Sequence, residues 1–325
     1  MIVGSISENI NTEKRVAITP DIIKKYKSLG LEVNLSKNYA LHLGITDKEY
    51  VEQGASIINN YEEIISNSNI VVQMNLPTDE NIKKFKEKQI IVGVLNPYDN
   101  EKRLKEISSK NISCFSLDLL PRITRAQSMD ILSSQANLAG YKAVVDSFSY
   151  FQKAIPMMMT AAGTISAARV LVVGAGVAGL QAIATAKRMG AVVFATDVRL
   201  ASKEQVESLG GKFLSVEGAE SLETAGGYAK EASDDFKNKQ EKLLKETLKK
   251  IDIVICTALI PGKKAPIIIK KDMINVMSSG SVIYDLAASQ GGNSEFTKVN
   301  EIVDINGVKI MGETNILNKL PVSAS

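Results

Sequence analysis

The chain has 325 residues, 45% of them hydrophobic, and a formal net charge of +3 from 39 basic and 36 acidic side chains. That is enough apolar material for about two domains with their own cores, and the interspersed charges give no footprint for nucleic acid or an anionic membrane surface. One histidine, His42, and two cysteines, Cys114 and Cys256, exclude a Cys/His metal centre, so no metal is expected.

Residues 1–3 open directly on a strand-like Met1-Ile2-Val3 without the basic and apolar regions of a signal peptide. No apolar run reaches the roughly 20 residues that a membrane helix needs. From residue 1 to 120, residues 2–3, 32–35, 70–74, 89–95 and 111–115 read as strands, separated by helices such as 20–29 and 81–87. Thr19 before Pro20 reads as an N-cap with proline in the first turn, and Gly30 closes that helix. His42 falls in a polar stretch before a helix cap at Thr46, a surface or turn position. Such alternation implies a parallel sheet covered on both faces. This region lacks a glycine fingerprint, which predicts a Rossmann-like domain that does not itself hold dinucleotide phosphates.

Residues 122–135 are dense in polar groups, directly after a strand and before a helix. Loops after strand C-termini are where open α/β sheets place ligands. The pair Arg122 and Arg125, the amide of Gln127 and the carboxylate of Asp130 could orient a carboxamide and a ribose; helix capping and an interdomain salt bridge is the alternative. Residues 128–151 carry Leu132, Ala136, Ala139, Ala143, Val144 and Phe148 at helical spacing. A helix of that length reads as a connector across a cleft, or else as an ordinary surface helix. Met157, Met158 and Met159 follow its end and read as adaptable packing.

The stretch 170–179 is the most specific signal: an apolar strand passes straight into Gly174-Ala175-Gly176-Val177-Ala178-Gly179. Gly174 permits the tight turn, Gly176 lets the backbone approach a pyrophosphate, and Gly179 lets the next helix pack on the strand. A second strand, 192–196, delivers Asp197, whose carboxylate can accept hydrogen bonds from an adenosine ribose. Arg199 could pair with a 2′-phosphate, but Asp197 would repel it, which favours NAD(H) over NADP(H). Later strands are expected at 212–216, 253–257, 282–286 and 309–311, and both cysteines then lie in strands as buried thiols of a reducing compartment. In the charged stretch 231–250, Phe236, Leu243, Leu244 and Leu248 supply an apolar stripe, so its charges read as a solvated face, with a partner surface as the alternative.

Motifs in chain order carry a resemblance that covers essentially the whole sequence: residues 13–20, 122–135, 156–164, the glycine fingerprint, Gly226-Gly227-Tyr228-Ala229, 257–262 and Asp285-Leu286-Ala287. The chain resembles the NAD(H)-binding component, domain I of the alpha subunit, of proton-translocating nicotinamide nucleotide transhydrogenase, a superfamily shared with alanine dehydrogenase. The resemblance implies that Arg122 and Ser133 fix the nicotinamide carboxamide, Asp130 orients Arg122, and Gln127 brings the two nicotinamide rings together. Asp197, Val198 and Arg199 would take the adenosine ribose region, Gly227 and Tyr228 would belong to a mobile loop, and Gln240 and Leu259 would be further nucleotide contacts.

Two departures from the family pattern stand out: Ser289 where glutamate is common, and Ala232 where methionine is usual. Alanine dehydrogenases carry a lysine and a histidine at positions aligned with Asn75 and Asn96; asparagine supplies no proton at pH 7. Arg15 is retained, and its expected role is structural.

The expected architecture is therefore α/β, with two Rossmann-like doubly wound parallel-sheet domains joined by long helices across a cleft. Residues 1–135 would form the first, with 312–325 returning to it, and 136–311 the NAD(H)-binding domain. The implied activity is direct hydride transfer between NADH and NADP⁺ held on a partner NADP(H)-binding domain, coupled to proton movement through a membrane-spanning subunit. The resemblance also implies a homodimer, cytoplasmic and peripheral to the inner membrane. A soluble alanine-dehydrogenase-like enzyme and a non-catalytic NAD sensor are the competing readings.

Overall fold

The structure, a computed structural model, describes residues 1–121, 123–216, 234–260 and 262–325. The chain divides into two compact units, Met1–Leu132 with Leu317–Ser325, and Ser133–Ile316.

In the first unit β1 (Ile2–Ser5), α1 (Pro20–Ser28), β2 (Glu32–Ser36), α2 (Asp47–Glu52), β3 (Ser56–Ile58), α3 (Tyr61–Asn67), β4 (Ile70–Asn75), α4 (Asp79–Ile82), β5 (Ile90–Val94), α5 (Glu101–Ser109) and β6 (Ser113–Ser116) follow one another. The strands are all parallel, in the order β3-β2-β1-β4-β5-β6. Strand order reverses at β1, and right-handed crossovers on either side of the reversal put helices on opposite faces. Two buried clusters result, one around Val3, Ile18, Ile23, Leu35 and Tyr50, the other around Ile64, Ile65, Val71, Ile91 and Ile107. Within this unit the last residues pair with the loop after β1: Asn318 Oδ1 accepts from Lys14 N (2.9 Å) and Ser325 Oγ from Val16 N (2.9 Å).

The structure corrects several local expectations. Thr19 occupies the N-cap of α1 with extended backbone, but its hydroxyl makes no cap bond; the proline and the backbone start this helix. The helix expected over 81–87 is only α4, because the Lys86 N–H donates to the Gln89 side chain (2.5 Å) instead of continuing a helical ladder. Cys114 is half-buried rather than buried. The capping box at Thr46 with Glu49 is present, and His42 lies exposed in a 3₁₀ turn, its Nε2 2.7 Å from the Lys14 carbonyl.

The second unit contains most of α6 (Ile131–Tyr150), then β7 (Met158–Thr160), β8 (Gly163–Ile165), β9 (Arg169–Val173), α7 (Val177–Arg188), β10 (Val192–Thr196), α8 (Ser202–Ser208), β11 (Lys212–Phe213), α9 (Asp234–Leu248), β12 (Ile253–Cys256), α10 (Lys271–Ile274), β13 (Val282–Asp285), β14 (Ile302–Ile305) and β15 (Val308–Met311). Its main sheet runs β11-β10-β9-β12-β13-β15-β14, parallel except that β14 lies antiparallel to β15. Every residue of β12 and β13 is buried, as are Val170 to Val173 of β9. Central parallel strands covered on both faces read as continuous apolar runs for this reason. Leu244 and Leu248 of α9 join the core beside β12, leaving the charged face outward, as its periodicity implies; the Phe236 side chain and residues 217–233 lie outside the described residues.

The long helix starts at Ile131, not at 128, because Thr124–Met129 form a 3₁₀ helix and Asp130 leaves the helical basin with ψ 84°. In the second unit α6 is pinned to the sheet: Asp146 accepts a hydrogen bond from the Tyr284 hydroxyl (3.2 Å) and pairs with Lys142 (2.6 Å). Met157, Met158 and Met159 are 61%, 45% and 76% exposed, so they do not pack a core; β7 and β8 form an antiparallel hairpin that presents them to solvent.

Gly140 sets how closely α6 approaches α7. A Cβ at 140 would lie 2.1 Å from the Ala178 carbonyl oxygen. Alanine gains roughly 1 kcal/mol over glycine inside a helix, whereas overpacking a tight contact costs roughly 1–3 kcal/mol. Gly140→Ala is therefore expected to lose stability, by up to about 2 kcal/mol in urea unfolding, and a gain would show that the helices can part without cost.

Candidate nucleotide site

The site is built where strand order reverses in the second sheet, between β9 and β12. β9 ends at Val173, and Gly174 turns the chain with φ +94°, its N–H donating to the Thr196 carbonyl (2.8 Å). Only glycine takes that conformation without strain. Gly179 is held by contact: a Cβ there would fall 1.9 Å from the Gly174 carbonyl oxygen and 3.1 Å from Thr257 Oγ1. Thr257, just after β12, thus occupies the space that two missing side chains leave, and its hydroxyl lies 2.9 Å from the Gly174 carbonyl it donates to. α7 then begins with Gly176 at its N-cap and no capping side chain. A Cβ on Gly176 would meet only the Arg199 guanidinium, at 3.9 Å. An uncapped helix N-terminus with open space above a glycine is an anion cradle, so the residues present fit the pyrophosphate of a dinucleotide.

β10 delivers Asp197 to the same edge. Its Oδ2 accepts from Ala175 N (2.7 Å) and an Arg199 Nη (2.7 Å), and its Oδ1 from Arg199 N (2.8 Å) and Nε (2.9 Å). Burial opposes the charge, but the Arg199 fork and the Ala175 N–H outweigh it and hold the carboxyl below its ordinary value. Asp197 is therefore ionised at neutral pH. Four donors fill the four lone-pair directions of a carboxylate, so any further donor would reach Asp197 only by displacing part of the Arg199 fork.

The other expected site residues divide between the units. Arg125 and Gln127 are exposed on the 3₁₀ helix, and Asp130 is half-buried at its end, all in the first unit. Ser133, half-buried in the first turn of α6, and the half-buried Gln240, Val198 and Arg199, belong to the second, as does Leu259, 41% exposed beyond β12. Gly174, Ala175, Gly176, Val177 and Gly179 form one turn with Asp197. Arg122, Gly227 and Tyr228 lie outside the described residues.

Two residues that matter to the turn carry no role in the sequence pattern. Asp285, fully buried, accepts from Ala287 N (2.9 Å), Asn293 N (2.7 Å), Ser294 N (3.0 Å) and the Thr297 hydroxyl (2.6 Å). Asn293, also fully buried, bonds to the backbone of Ala258. Their signal in the sequence is an acid closing an apolar strand, Asp285, in a stretch that serves only as a family marker, and an amide, Asn293, after two glycines shortly beyond it.

At the corresponding edge of the first sheet the chain keeps acids instead. Glu13 binds Arg15 through Nε (2.8 Å) and an Nη (2.6 Å) and accepts from Asn75 Nδ2 (3.3 Å), while Glu8 Oε1 accepts from Gln73 Nε2 (3.1 Å), Met74 N (2.8 Å) and Asn75 N (3.3 Å). Burial pushes the Glu8 carboxyl up despite those bonds, whereas Arg15 outweighs burial at Glu13 and holds it down. Asn96 takes φ +45° and donates to Asp99 (2.5 Å). Neither asparagine can shuttle a proton.

Family models match both halves of the chain: alanine dehydrogenase/PNT, N-terminal domain, over residues 4–139, and alanine dehydrogenase/PNT, C-terminal domain, over residues 143–325. The chain belongs to the alanine dehydrogenase/PNT family. It is 47% identical to the first of the chains that make up the NAD(P) transhydrogenase alpha subunit of Rickettsia prowazekii, over all of this chain and 86% of that protein. A transhydrogenase from Sinorhizobium meliloti superposes with TM-score 0.91 at 42% identity, covering 100% of this chain and 89% of the other. An L-alanine dehydrogenase superposes with TM-score 0.83 at 20% identity, covering 100% and 85%, which shares the fold. Within the alanine dehydrogenase/PNT family the chain thus resembles the transhydrogenase alpha subunits, and its two parallel sheets are the family's two Rossmann-like domains. Among the described residues no helix is long and apolar enough to cross a membrane, and no acidic, cysteine or histidine group could hold a metal.

The raised carboxyl of Glu8 has a definite sign. A folded-state value above the unfolded one means that Glu8 favours folding below the unfolded value and loses that contribution as pH rises through the folded one. Glu8→Gln keeps an acceptor for all three bonds and removes the buried charge. It is expected to hold or raise stability at pH 7 by up to about 1 kcal/mol, with the advantage shrinking as pH falls toward ~4.3; a loss at pH 7 that persists in acid would show that the charge is not the strained element.

Proposed function

We propose that this chain is the NAD(H)-binding component of a proton-translocating NAD(P) transhydrogenase, passing hydride directly between NADH and NADP⁺ held on a partner domain. The observation that carries the reading is the glycine turn with Asp197 bonded to the Ala175 N–H, an arrangement that fits a dinucleotide. The 47% identity to a transhydrogenase alpha subunit supports the transhydrogenase branch. Asn75 and Asn96 weigh against the alanine-dehydrogenase reading, which needs proton transfer at those places.

NAD(H), when bound, supplies the hydride chemistry. The chain's own residues do the holding. The backbone N–H groups at the start of α7 take the pyrophosphate, and Asp197, Val198 and Arg199 the adenosine ribose. Arg122 and Ser133 fix the carboxamide, with Asp130 orienting Arg122. Gln127 sets the approach to the second nucleotide, Gly227 and Tyr228 close over the site and exclude water, and Arg125, Gln240 and Leu259 complete the contacts. No residue need gain or lose a proton, which suits a chain with one histidine, exposed in a turn. Positioning of two rings is what the reaction demands of the protein. The implied partners are an NADP(H)-binding domain and a membrane proton-channel subunit, with the chain peripheral to the membrane through them. A second copy of the chain is expected in the assembly, on the family resemblance.

The decisive experiment mixes the chain with an NADP(H)-loaded partner domain and follows reduction of an NAD analogue by NADPH. Transfer is expected in the parent, and Gln127→Asn should slow it by about 10²-fold, the cost of misplacing reacting groups, with NADH affinity unchanged within about twofold. No transfer with a competent partner would leave an NAD sensor, and ammonia-dependent NADH oxidation with pyruvate would establish the dehydrogenase. Asp197→Asn, measured by NADH fluorescence titration, should weaken NADH about tenfold, the usual worth of one charged hydrogen bond.

A further inference from the structure

Asn293 is fully buried, 0% exposed, at a junction beside the glycine turn. Its Nδ2 donates to the carbonyls of Ala258 (2.8 Å) and Pro266 (2.9 Å), and its Oδ1 accepts from Ala258 N (3.0 Å). Its backbone is held just as firmly: the N–H donates to Asp285 Oδ2 (2.7 Å), and the carbonyl accepts from Ile268 N (2.8 Å) and Ile269 N (2.9 Å). Ala258 lies beyond Cys256, the last residue of β12. The carboxamide, one bond given and one taken, serves Ala258 as a neighbouring strand would.

What this fixes is the segment that touches the turn. Thr257, one residue before Ala258, sets its hydroxyl against the Gly174 carbonyl (2.9 Å), and Leu259, one residue after, is exposed at that strand end. We propose that Asn293 is a positioning residue for the nucleotide site, holding residues 257–259 in register with the glycine turn, with Asp285 holding Asn293 in its place. The proposal rests on the reading of that turn as an NAD(H) site. An apolar residue would take from the half-buried Ala258 both of its partners, for the N–H and for the carbonyl, and from the Pro266 carbonyl the donor it has here. Aspartate keeps the acceptor for Ala258 N but turns a carboxylate oxygen onto two carbonyls, a conflict that protonation relieves by restoring one donor.

The test titrates NADH, by its own fluorescence, into the parent chain, Asn293→Ala, Asn293→Asp and Val308→Ala, with a thermal midpoint for each. Val308 lies buried at the start of β15, among the core residues rather than at the strand ends that carry the turn, and controls for general destabilisation. Both Asn293 variants should weaken NADH by about tenfold or more, and Val308→Ala should stay within about twofold of the parent at a comparable thermal loss. Asn293→Asp should regain affinity as pH is lowered from about 8 to about 5.5 relative to the parent. If Asn293→Ala does not fold, Asn293→Asp across that pH range and Thr257→Ser, which keeps the hydroxyl and removes only the methyl and should bind NADH like the parent, carry the test. Parent-like NADH affinity in the folded Asn293 variants overturns the positioning role and leaves the nucleotide reading standing. A parent chain that fails to bind NADH overturns both.

Discussion

The contact on which the second unit depends is the one between the glycine turn and the end of the neighbouring strand. Thr257 fits where Gly174 and Gly179 have no side chains, so β9, α7 and β12 meet at backbone distance. Any side chain there would push α7 off the sheet. The same turn leaves the first N–H groups of α7 without a capping side chain and sets the Ala175 N–H, just before that helix, on Asp197. Binding chemistry and packing are thus one constraint: the turn can cradle an anion only because nothing but backbone fits beneath it.

The first unit shows what happens on the same strand order when that constraint is absent. Its sheet also reverses beside its first strand, but there the loop backbone is satisfied by side chains. Gln73 accepts from Ile6 N (2.8 Å) and donates to the Ile6 carbonyl (3.1 Å), and Glu8 takes the N–H groups of Met74 and Asn75. Donors that a phosphate would need are spent on carboxylate and amide. Electrostatics points the same way, since Glu8 and Glu13 bring carboxylates to this edge and Arg15 offsets the charge at Glu13. Closely similar topology therefore carries an open glycine turn in one unit and a closed polar network in the other. Fold alone does not assign function.

What the sequence discloses follows from which forces leave a local trace. Strands buried on both faces are unbroken apolar runs, so β9, β12 and β13 are legible to within a residue or so. Edge strands leave less: β3 has three residues, and β14 pairs antiparallel outside the alternation, and neither carries a clear signal. The 81–87 helix fails because a tertiary amide, Gln89, captures the Lys86 N–H, a bond that helical periodicity does not mark. Methionine composition suggests packing, yet Met159 stands out on a hairpin that only pairing geometry reveals. In the site, the glycine turn and Asp197 are visible because spacing along one βαβ unit encodes them. The Asp285 and Asn293 network is not, because it joins strand ends through hydrogen bonds that no periodicity marks.

The Asp197–Arg199 pair changes how selectivity at the ribose must work on the proposed reading. From sequence, the carboxylate would exclude a 2′-phosphate by repulsion. With the guanidinium folded on it, the pair carries little net charge, so long-range repulsion is weak. Discrimination passes instead to the availability of donors. Arg199 Nε and an Nη are spent on Asp197, so a phosphate at that point finds them occupied, whereas a ribose hydroxyl can itself donate to the carboxylate and replace one arm of the fork. The hydroxyl exchange conserves hydrogen bonds; the phosphate could gain the two donors of the fork only by breaking the ion pair, and would then face the uncovered carboxylate at close range. Preference for an unphosphorylated ribose therefore depends on how tightly Arg199 holds Asp197, and the residue two places beyond the acid is as much a part of that selection as the acid itself.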